Sequence, residues 1–419
     1  MKRFRSALTL SAFTILAATS FHSTVWAVDA TSFTQRLQNN LKASGWTLSS
    51  SKSETVGNDI VLHDVDLSTI EIKDEQPQQA QSAAESQNQS SPEEPTFKFD
   101  RIDELRFKNV TEDKEGNYLV ENLVLPTLST ETKDFKLFIK DTAFSNIKLA
   151  SDNSSNPLTT YIPYETLKIS QLYLTHDDQT FLSLDQIALK YTPQPDKKII
   201  DISAGIQSFN YDPEKTGVPD AAAWLTVVGY NNLAGSFQSH ALWDIENGKY
   251  NADSNEITIN NAGKLNITLG LEGITEDFVQ NIATLRKTVL AQDQNENALA
   301  IGYLGVIQQI KFANIKILYD DNSLTNRILD YFAKQNNVSR TDFIKQIKTT
   351  LPIIGTQINY PEFVKKTTDQ LETFLDNPRS LTISATPDKP VSLPILMATG
   401  TASHAQLIDL LKVKVEANK

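Results

Sequence analysis

Cysteine is absent from the 419 residues, and no stretch of 18 consecutive apolar residues occurs. Without cysteine the chain forms no disulfide and no thiolate metal site, and it has no residue to carry the lipid of a bacterial lipoprotein. Without a long apolar run it lacks a conventional membrane-spanning helix, which needs about 20 residues. Stability must therefore come from the burial of apolar side chains.

Basic residues are fewer than acidic residues, 39 against 51. The excess negative charge repels nucleic acid and anionic lipid headgroups at long range, so we expect no nucleic-acid partner. Histidine is also scarce: beyond the N-terminal segment there are only His63, His176, His240 and His404. No two of them have the helical spacing of a metal site. The sequence thus predicts neither a metal site nor a cofactor.

The N-terminus is typical of an export signal. Lys2, Arg3 and Arg5 precede an apolar run over residues 7–18, and the small residues Val25 and Ala27 precede a cleavage site after Ala27. We expect residues 1–27 to be removed, which leaves a soluble periplasmic protein with no stable membrane span. An uncleaved N-terminal membrane anchor is the alternative.

A six-residue phrase recurs along the chain: an apolar residue, two mostly polar residues, an apolar residue, any residue and an apolar residue. The last two apolar positions have the spacing of one face of a strand, while the first gap of three predicts a bulge or bend. Repeated strands at intervals of roughly 15–25 residues favour a long antiparallel sheet, in which each repeat adds a strand next to the previous one. The phrase occupies residues 62–67, 102–107, 120–125, 144–149, 169–174, 184–189, 206–211 and 312–317.

Composition divides the mature chain into four parts, which together predict an α+β fold. Residues 28–72 should hold a helix, at 30–49, and the first strands. Residues 73–95 contain no large apolar side chain and should form a disordered linker. Residues 96–272 read as repetitive antiparallel sheet. Residues 273–419 are predicted to form a mainly helical lobe that is connected to the sheet by closing strands.

The sequence predicts no catalytic residue. Ser145-Asn146-Ile147-Lys148 and Lys215-Thr216-Gly217 match the motifs of penicillin-binding proteins and serine β-lactamases. In those enzymes the serine and lysine lie one helical turn apart. Here they fall in a strand phrase, where a spacing of three should point them to different faces, and Lys215-Thr216-Gly217 lies in a predicted turn between prolines. We interpret the match as coincidence.

The repeated phrase, the export signal and one meander carry a resemblance to known proteins. The meander contains Ser239-His240-Ala241-Leu242-Trp243, then Ala262-Gly263-Lys264-Leu265-Asn266-Ile267 and Leu269-Gly270-Leu271. Residues 102–271 resemble the long periplasmic sheets of AsmA-like and YdgA-like envelope proteins of Gram-negative bacteria. The resemblance implies lipid handling or outer-membrane biogenesis and transfers no catalytic residue. Those proteins usually keep an N-terminal membrane anchor, and residues 276–411 do not map onto them.

Three functions remain open. The first is a non-catalytic cell-envelope protein that shelters lipid, or contacts another envelope protein, through an apolar sheet face. The second is a structural or adhesive interaction module, for which both sheet faces should be evenly polar. The third is an enzyme with a dispersed site in a deep pocket of titratable groups. The candidate residues for an apolar ligand face are Leu172, Leu174, Ile187, Leu189, Phe209 and Tyr211.

Overall fold

The computed structural model describes residues 28–43, 45–69, 97–151, 163–194, 198–218, 222–291 and 296–419. Both the predicted signal, residues 1–27, and the predicted linker, residues 73–95, lie outside these ranges. The strands are β1 (Trp46–Ser49), β2 (Lys52–Val56), β3 (Asp59–Thr69), β4 (Ile102–Glu112), β5 (Tyr118–Leu125), β6 (Leu128–Glu131), β7 (Lys136–Leu149), β8 (Thr166–His176), β9 (Gln179–Gln194), β10 (Ile199–Tyr211), β11 (Leu233–Asp244), β12 (Lys249–Ile259), β13 (Gly263–Glu272), β14 (Lys311–Asp321), β15 (Ser380–Ala385), β16 (Val391–Ser392) and β17 (Lys414–Ala417).

The helices of the described residues lie at the N-terminus and, mainly, in the C-terminal third, which agrees with the predicted α+β fold. The predicted helix at 30–49 is too long, because it ends at Ala43 and Trp46 begins a strand. The helices are α1 (Ala30–Ala43), α2 (Ala223–Val227), α3 (Glu276–Ala291), α4 (Glu296–Ile307), α5 (Leu324–Gln335), α6 (Arg340–Gly355), α7 (Pro361–Asp376), α8 (Leu393–Ala402) and α9 (His404–Leu411).

The strands form one antiparallel sheet of 17 strands in the described residues. From β7 to β14 each strand pairs with the next along the chain, so this part is a continuous meander. At one end β1 and β2 both pair with β3, and at the other β15 joins β14 to β17. Some connections of the meander are short hairpins, such as Asp244 to Lys249 across Asn247-Gly248, while α2 lies between β10 and β11, and α3 and α4 lie between β13 and β14.

The three-residue gap of the repeated phrase marks a break in the hydrogen-bonded ladder. Leu62 pairs with Leu105, and Val65 pairs with Ile102, so both strands advance by three residues between neighbouring apolar positions. Because neither strand gains a residue, the register on both sides of the break is the same. Asp64 in the break has a left-handed backbone that departs from the regular pleat, and the apolar residues on both sides of the break lie in one buried cluster. Each of five further ladders also lacks one residue pair at such a break. They are the ladders of β4 with β5, β5 with β7, β7 with β8, β8 with β9 and β9 with β10.

True bulges, with an extra residue in one strand, occur at the phrases 206–211, on the side of β11, and 312–317. Between Ile206 and Phe209 of β10 the partner strand β11 advances by only two residues. Phe312 and Ile315 of β14 likewise face Leu271 and Leu269 of β13. The sequence-based expectation of a bulge or bend is therefore met in two structural forms, one with an inserted residue and one without.

The best-packed core lies under α1 on strands β3 to β7. Phe33 is fully buried, with its ring centroid 5.0 Å from that of Phe107 and 5.5 Å from that of Tyr118. Arg36 stacks on Tyr118 at 4.2 Å from the ring centroid. Leu62 of β3 is also fully buried. Thus α1 packs on its own domain and covers the apolar face at the N-terminal end of the sheet.

The C-terminal lobe is mainly helical, as the sequence predicts. Thr275 accepts a hydrogen bond from the Phe278 amide at 3.2 Å and so caps α3, and Pro361 occupies the first turn of α7. β14 and β15 return from the helices to the sheet and extend the meander. In the described part of the chain, no helix combines the length and apolar character required to cross a bilayer.

Candidate functional site

The pairing register places all six candidate apolar residues on one face of the sheet. Residues directly opposite each other in adjacent antiparallel strands share a face. Leu172 pairs with Leu184, which pairs with Phe209 on the next strand, and Leu174 reaches Tyr211 through Leu182 in the same way. Parallel rows run from Ile169 through Ile187 to Ile206, and from Leu167 through Leu189 to Ala204.

The same face continues beyond the candidate residues to β14. One row runs from Ile206 through Phe237 and Ile257 to Leu265, and reaches Tyr319 on β14. Sequence reasoning left Phe237 and Ile257 out of the site. The signal that could have found them is the strict alternation of β11 to β13, where every second residue is largely apolar.

The opposite face of these strands is polar. Asp185 accepts hydrogen bonds from Gln171 at 2.9 Å and from Ser208 at 3.2 Å across three strands. His240 lies between Asp253, at 2.7 Å, and Asp201, at 3.4 Å. The hydrogen bond with Asp253, assisted by Asp201, raises the pKa of His240. The sheet therefore separates an apolar face from a hydrated, charged face.

Two helices close the ends of the apolar face. At the N-terminal end the α1 core extends to half-buried Leu137, Ile139 and Phe144 of β7. At the C-terminal end α7 places buried Phe374 against Tyr319, with the ring centroids 6.3 Å apart. Within the described residues, the strands between these ends, β8 to β13, pack mainly on their neighbouring strands.

Two smaller clusters close the long sides of the same region. On one side, buried Leu225 of α2 and Tyr230 pack with Tyr211 and Ile259. On the other side, Val279 of α3 packs with Ile200 and Trp243, whose indole nitrogen donates to the Ile274 carbonyl at 2.7 Å. We call the apolar face of β8 to β13 between these four boundaries the trough.

The trough differs from the α1 core in burial. Leu62, Val65 and Val120 in the core are essentially inaccessible, whereas the trough residues are half-buried. Large apolar side chains that remain partly accessible along several strands form a patch of the kind that binds apolar ligands or partners. The half-buried residues of the trough are Leu167, Ile169, Leu172, Leu174, Leu182, Leu184, Ile187, Leu189, Ile202, Ile206, Phe209, Tyr211, Phe237, Ile257, Leu265, Ile267 and Leu269.

The rim and floor of the trough present neutral groups. Burial raises the pKa of Tyr164, Tyr191 and Tyr250, so these phenols stay uncharged at neutral pH. On the floor Ser239 donates to the Asn255 side chain at 2.7 Å, and Asn255 donates to the Ile267 carbonyl at 2.8 Å. The floor can therefore accept an apolar chain without leaving a charged group desolvated.

A charged cleft of 490 Å³ lies elsewhere, between α7 and the segment around Lys412. Glu362 pairs with Lys366 at 2.7 Å, one turn apart on α7. On the same helix Lys365 pairs with Asp369 at 2.8 Å. Such solvent-exposed pairs, one turn apart on a helix, support it only weakly, and this structural role accounts for these charges without a reaction.

The structure corrects one step in the sequence reasoning on Ser145 and Lys148. Asn146 between them has a left-handed backbone, with φ of 50°, so the two side chains lie on the same polar face. Their contacts are separate: the Ser145 hydroxyl bonds to that of Thr166, while Lys148 pairs with Asp113 at 3.3 Å. Lys215 ends a short 3-10 turn and Gly217 has φ of 71°, as expected for a turn.

Comparison with known proteins adds one match. A protein-family model described as "Uncharacterized protein" matches residues 256–418, which is less than half of the chain. The match covers the end of β12 and all of β13 in the trough, β14 beside the trough, and the C-terminal lobe. No curated protein matches the chain.

Proposed function

We propose that this protein is a non-catalytic component of the bacterial cell envelope that shelters the acyl part of a lipid in the trough. The observation that supports this most is the continuous apolar face of β8 to β13, half-buried and bounded on four sides by packed clusters. The export signal predicted from the sequence and the resemblance to AsmA-like and YdgA-like sheets agree with a periplasmic location and a role in outer-membrane biogenesis.

The dimensions of the trough suit an acyl chain that lies across the strands. Five inter-strand spacings of ~4.8 Å make the region from β8 to β13 about 24 Å long. The acyl layer of one membrane leaflet is about 15 Å thick, so one extended lipid tail fits within the trough. Each methylene removed from water contributes about 0.8 kcal/mol, which makes a long neutral floor a strong binding surface.

The two-faced sheet favours this proposal over an interaction module, for which evenly polar faces were expected. The polar face, with Asp185, His240 and Lys190, resembles an ordinary solvated sheet surface. On the apolar face, by contrast, large apolar side chains remain partly accessible, and a bound apolar ligand would remove them from water. Contact with another envelope protein through the same face is the related possibility that the experiment below distinguishes.

Neighbouring residues Ile187 and Ala188 provide the test, because they point to opposite faces of β9. Ile187→Glu introduces a charge into the trough, whereas Ala188→Glu introduces the same charge on the exposed polar face. We expect protein purified from a bacterial periplasm to carry lipid, detected by extraction and mass spectrometry. Ile187→Glu should fold, because the Ile187 side chain is only partly buried, and the variant should lose that lipid at least about tenfold.

Ala188→Glu should retain the lipid and the melting temperature of the natural chain. Absence of lipid from the natural protein, or equal loss from both variants, would contradict the proposal. Capture of an envelope protein in place of lipid, abolished by Ile187→Glu alone, would assign the face to protein contact instead.

A further inference from the structure

The last strand of the sheet, β17, leaves one edge without a neighbouring strand. In the described part of the chain it pairs with β15 alone. Along an antiparallel pair, backbone groups point alternately toward the partner strand and away from it. The Asn418 amide donates to the Ser380 carbonyl of β15 at 2.7 Å, so the amides of even-numbered residues in β17 face β15. The amide and carbonyl of Val415 therefore point away from the sheet.

Helix α7 supplies part of the missing neighbour. The side-chain oxygen of Gln370 accepts a hydrogen bond from the Ala417 amide at 2.9 Å, in the place where a carbonyl of a further strand would lie. Val415 has no such substitute, since its amide and carbonyl lack a hydrogen-bond partner within the described ranges. An outward amide and carbonyl on one residue are the groups to which an added strand bonds.

The unpaired edge forms one side of the 490 Å³ cleft between α7 and the segment around Lys412. Residues 412–416 line the cleft on the strand side, and Glu362 to Gln370 of α7 contribute the other side. Among the strands, α7 packs mainly against β17. Five consecutive residues of extended chain span about 16 Å, so the cleft is as long as a short peptide strand. We call it the groove.

The groove has aromatic rings on the face that Val415 shares with α7. Val415 lies opposite Ile383 of β15, which lies opposite Ile317 of β14, so its side chain is on the face that α7 covers. A residue of an added strand directly opposite Val415 would point the same way. It would face the half-buried rings of Tyr360 and Phe363, whose centroids are 6.0 Å apart.

The charges that line the groove balance one another. Four lysines and four carboxylates contribute to the lining. Several of these charges are already paired: Lys366 with Glu362, Lys412 with Asp388 and Lys419 with Glu416. A groove without excess charge selects neither an anion nor a cation, so recognition must rest on the backbone of β17 and on the rings of α7.

We propose that the groove binds an extended peptide segment of another protein, which adds a strand to the sheet beside β17. Its apolar side chains, at every second position, would point to Tyr360 and Phe363, and the others would stay in water. An added strand needs a width of ~4.8 Å, whereas a second copy of the chain would bring its own α7 to the same edge. A single extended segment therefore fits the groove better. This proposal is independent of lipid in the trough.

The probe is a fluorescein-labelled octapeptide of alternating serine and valine, and fluorescence anisotropy measures its binding to the full mature chain. In either strand direction, only every second peptide amide faces β17. N-methylation of the valine amides removes one alternating set of donors, and N-methylation of the serine amides removes the other. We expect one methylated peptide to bind at least about tenfold more weakly, and the other to bind as the unmodified peptide does.

Val415→Pro removes the outward amide from β17 itself. The variant should keep its melting temperature, because proline is tolerated on edge strands and this amide has no partner in the described fold, and should bind the peptide at least about tenfold more weakly. The control, Met397→Ser, changes an apolar side chain that is 67% exposed outside the groove, and should bind the peptide as the natural chain does. If Val415→Pro does not fold, the two methylated peptides decide the question.

No binding of the octapeptide at about 1 mM, or equal effects of the two methylations, would overturn the proposal. So would unchanged binding by folded Val415→Pro, or an equal loss in Met397→Ser, because either result would show unspecific apolar adhesion. A dimer of the natural chain that Val415→Pro converts to monomer would also overturn it, since the edge would then belong to a second copy.

Discussion

Left-handed residues inside strands are the most distinctive feature at the residue scale. Asn and Asp tolerate this backbone better than other residues with a Cβ, because their short polar side chains bond locally. Asp64, for example, accepts a hydrogen bond from Ser51 at 2.6 Å, and Asp141 accepts one from Ser170 at 2.8 Å. The strand positions concerned are Asp64, Asn109, Asp141, Asn146 and Gln186.

Gln186 is the exception to this preference, since it has φ of 51° and a longer side chain. Gln186→Gly should leave the free energy of unfolding unchanged or raise it by up to about 1 kcal/mol, because glycine relieves the left-handed strain. Ala188→Gly, two residues away on the same strand, should lower it by about 0.5–1 kcal/mol. Urea unfolding of both variants checks the difference, and equal losses at the two positions would show that the backbone at Gln186 is unstrained.

The sequence predicted that the repeated phrase bends its strands, but it could not predict the mechanism. A spacing of three between apolar residues is compatible with an inserted residue or with a left-handed one. The choice depends on the partner strand. The phrase that begins at Phe312 contains an inserted residue, whereas the phrase that begins at Leu62 does not. The same ambiguity led to the wrong expectation that Ser145 and Lys148 face opposite ways.

At the scale of elements, the hairpin between β4 and β5 is held by a buried polar contact. Asn117 is fully buried and donates to Asp113 at 2.9 Å, while its own side-chain oxygen accepts from the Ser151 amide. Burial of Asp113 opposes its ionisation, but the hydrogen bonds from Asn117 and the contact with Lys148 outweigh it. Together they lower the pKa of Asp113 to about 2.

This pKa predicts a pH dependence of stability. The carboxyl has a lower pKa in the folded chain than its ordinary value of 3.8, so its stabilisation is complete above about pH 4 and is lost as pH falls toward 2. Asp113→Asn should therefore lower the free energy of unfolding by about 2 kcal/mol at neutral pH, and the difference should vanish near pH 2.

Chemical unfolding at a series of pH values measures this effect. Asp103→Asn, which changes an exposed carboxyl of β4, is the control and should differ little from the natural chain at any pH. A penalty for Asp113→Asn that stays constant down to pH 2 would show that geometry, and not the charge of Asp113, holds the hairpin.

Helix starts in the C-terminal lobe were predictable because their caps are local. Ser339, for instance, caps α6 by accepting from the Asp342 amide, and Pro361 opens α7. The strand Trp46–Ser49 was missed because Leu41 and Trp46 continue a helical spacing past the end of α1 at Ala43. There the pairing with β3, which is distant in sequence, overrides the local pattern.

For the whole molecule, the sequence predicted the apolar face but not its boundaries. Alternation along each strand decides which residues share a face, so Leu172, Ile187 and Phe209 could be grouped in advance. Which helix covers which strands depends on long-range packing, as with Phe374 of α7 over Tyr319. The trough is the part of the sheet that such packing leaves uncovered among the described residues.

The account as a whole rests on an acyl chain that lies in the trough, across β8 to β13. The most direct measurement is photo-crosslinking of the full mature protein with a diazirine-bearing fatty acid, followed by peptide mapping with mass spectrometry. We expect the modified residues to fall within β8 to β13, on the face of Leu172, Ile187 and Phe237. Modification confined to the polar face or to the C-terminal helices, or no modification at all, would contradict the account.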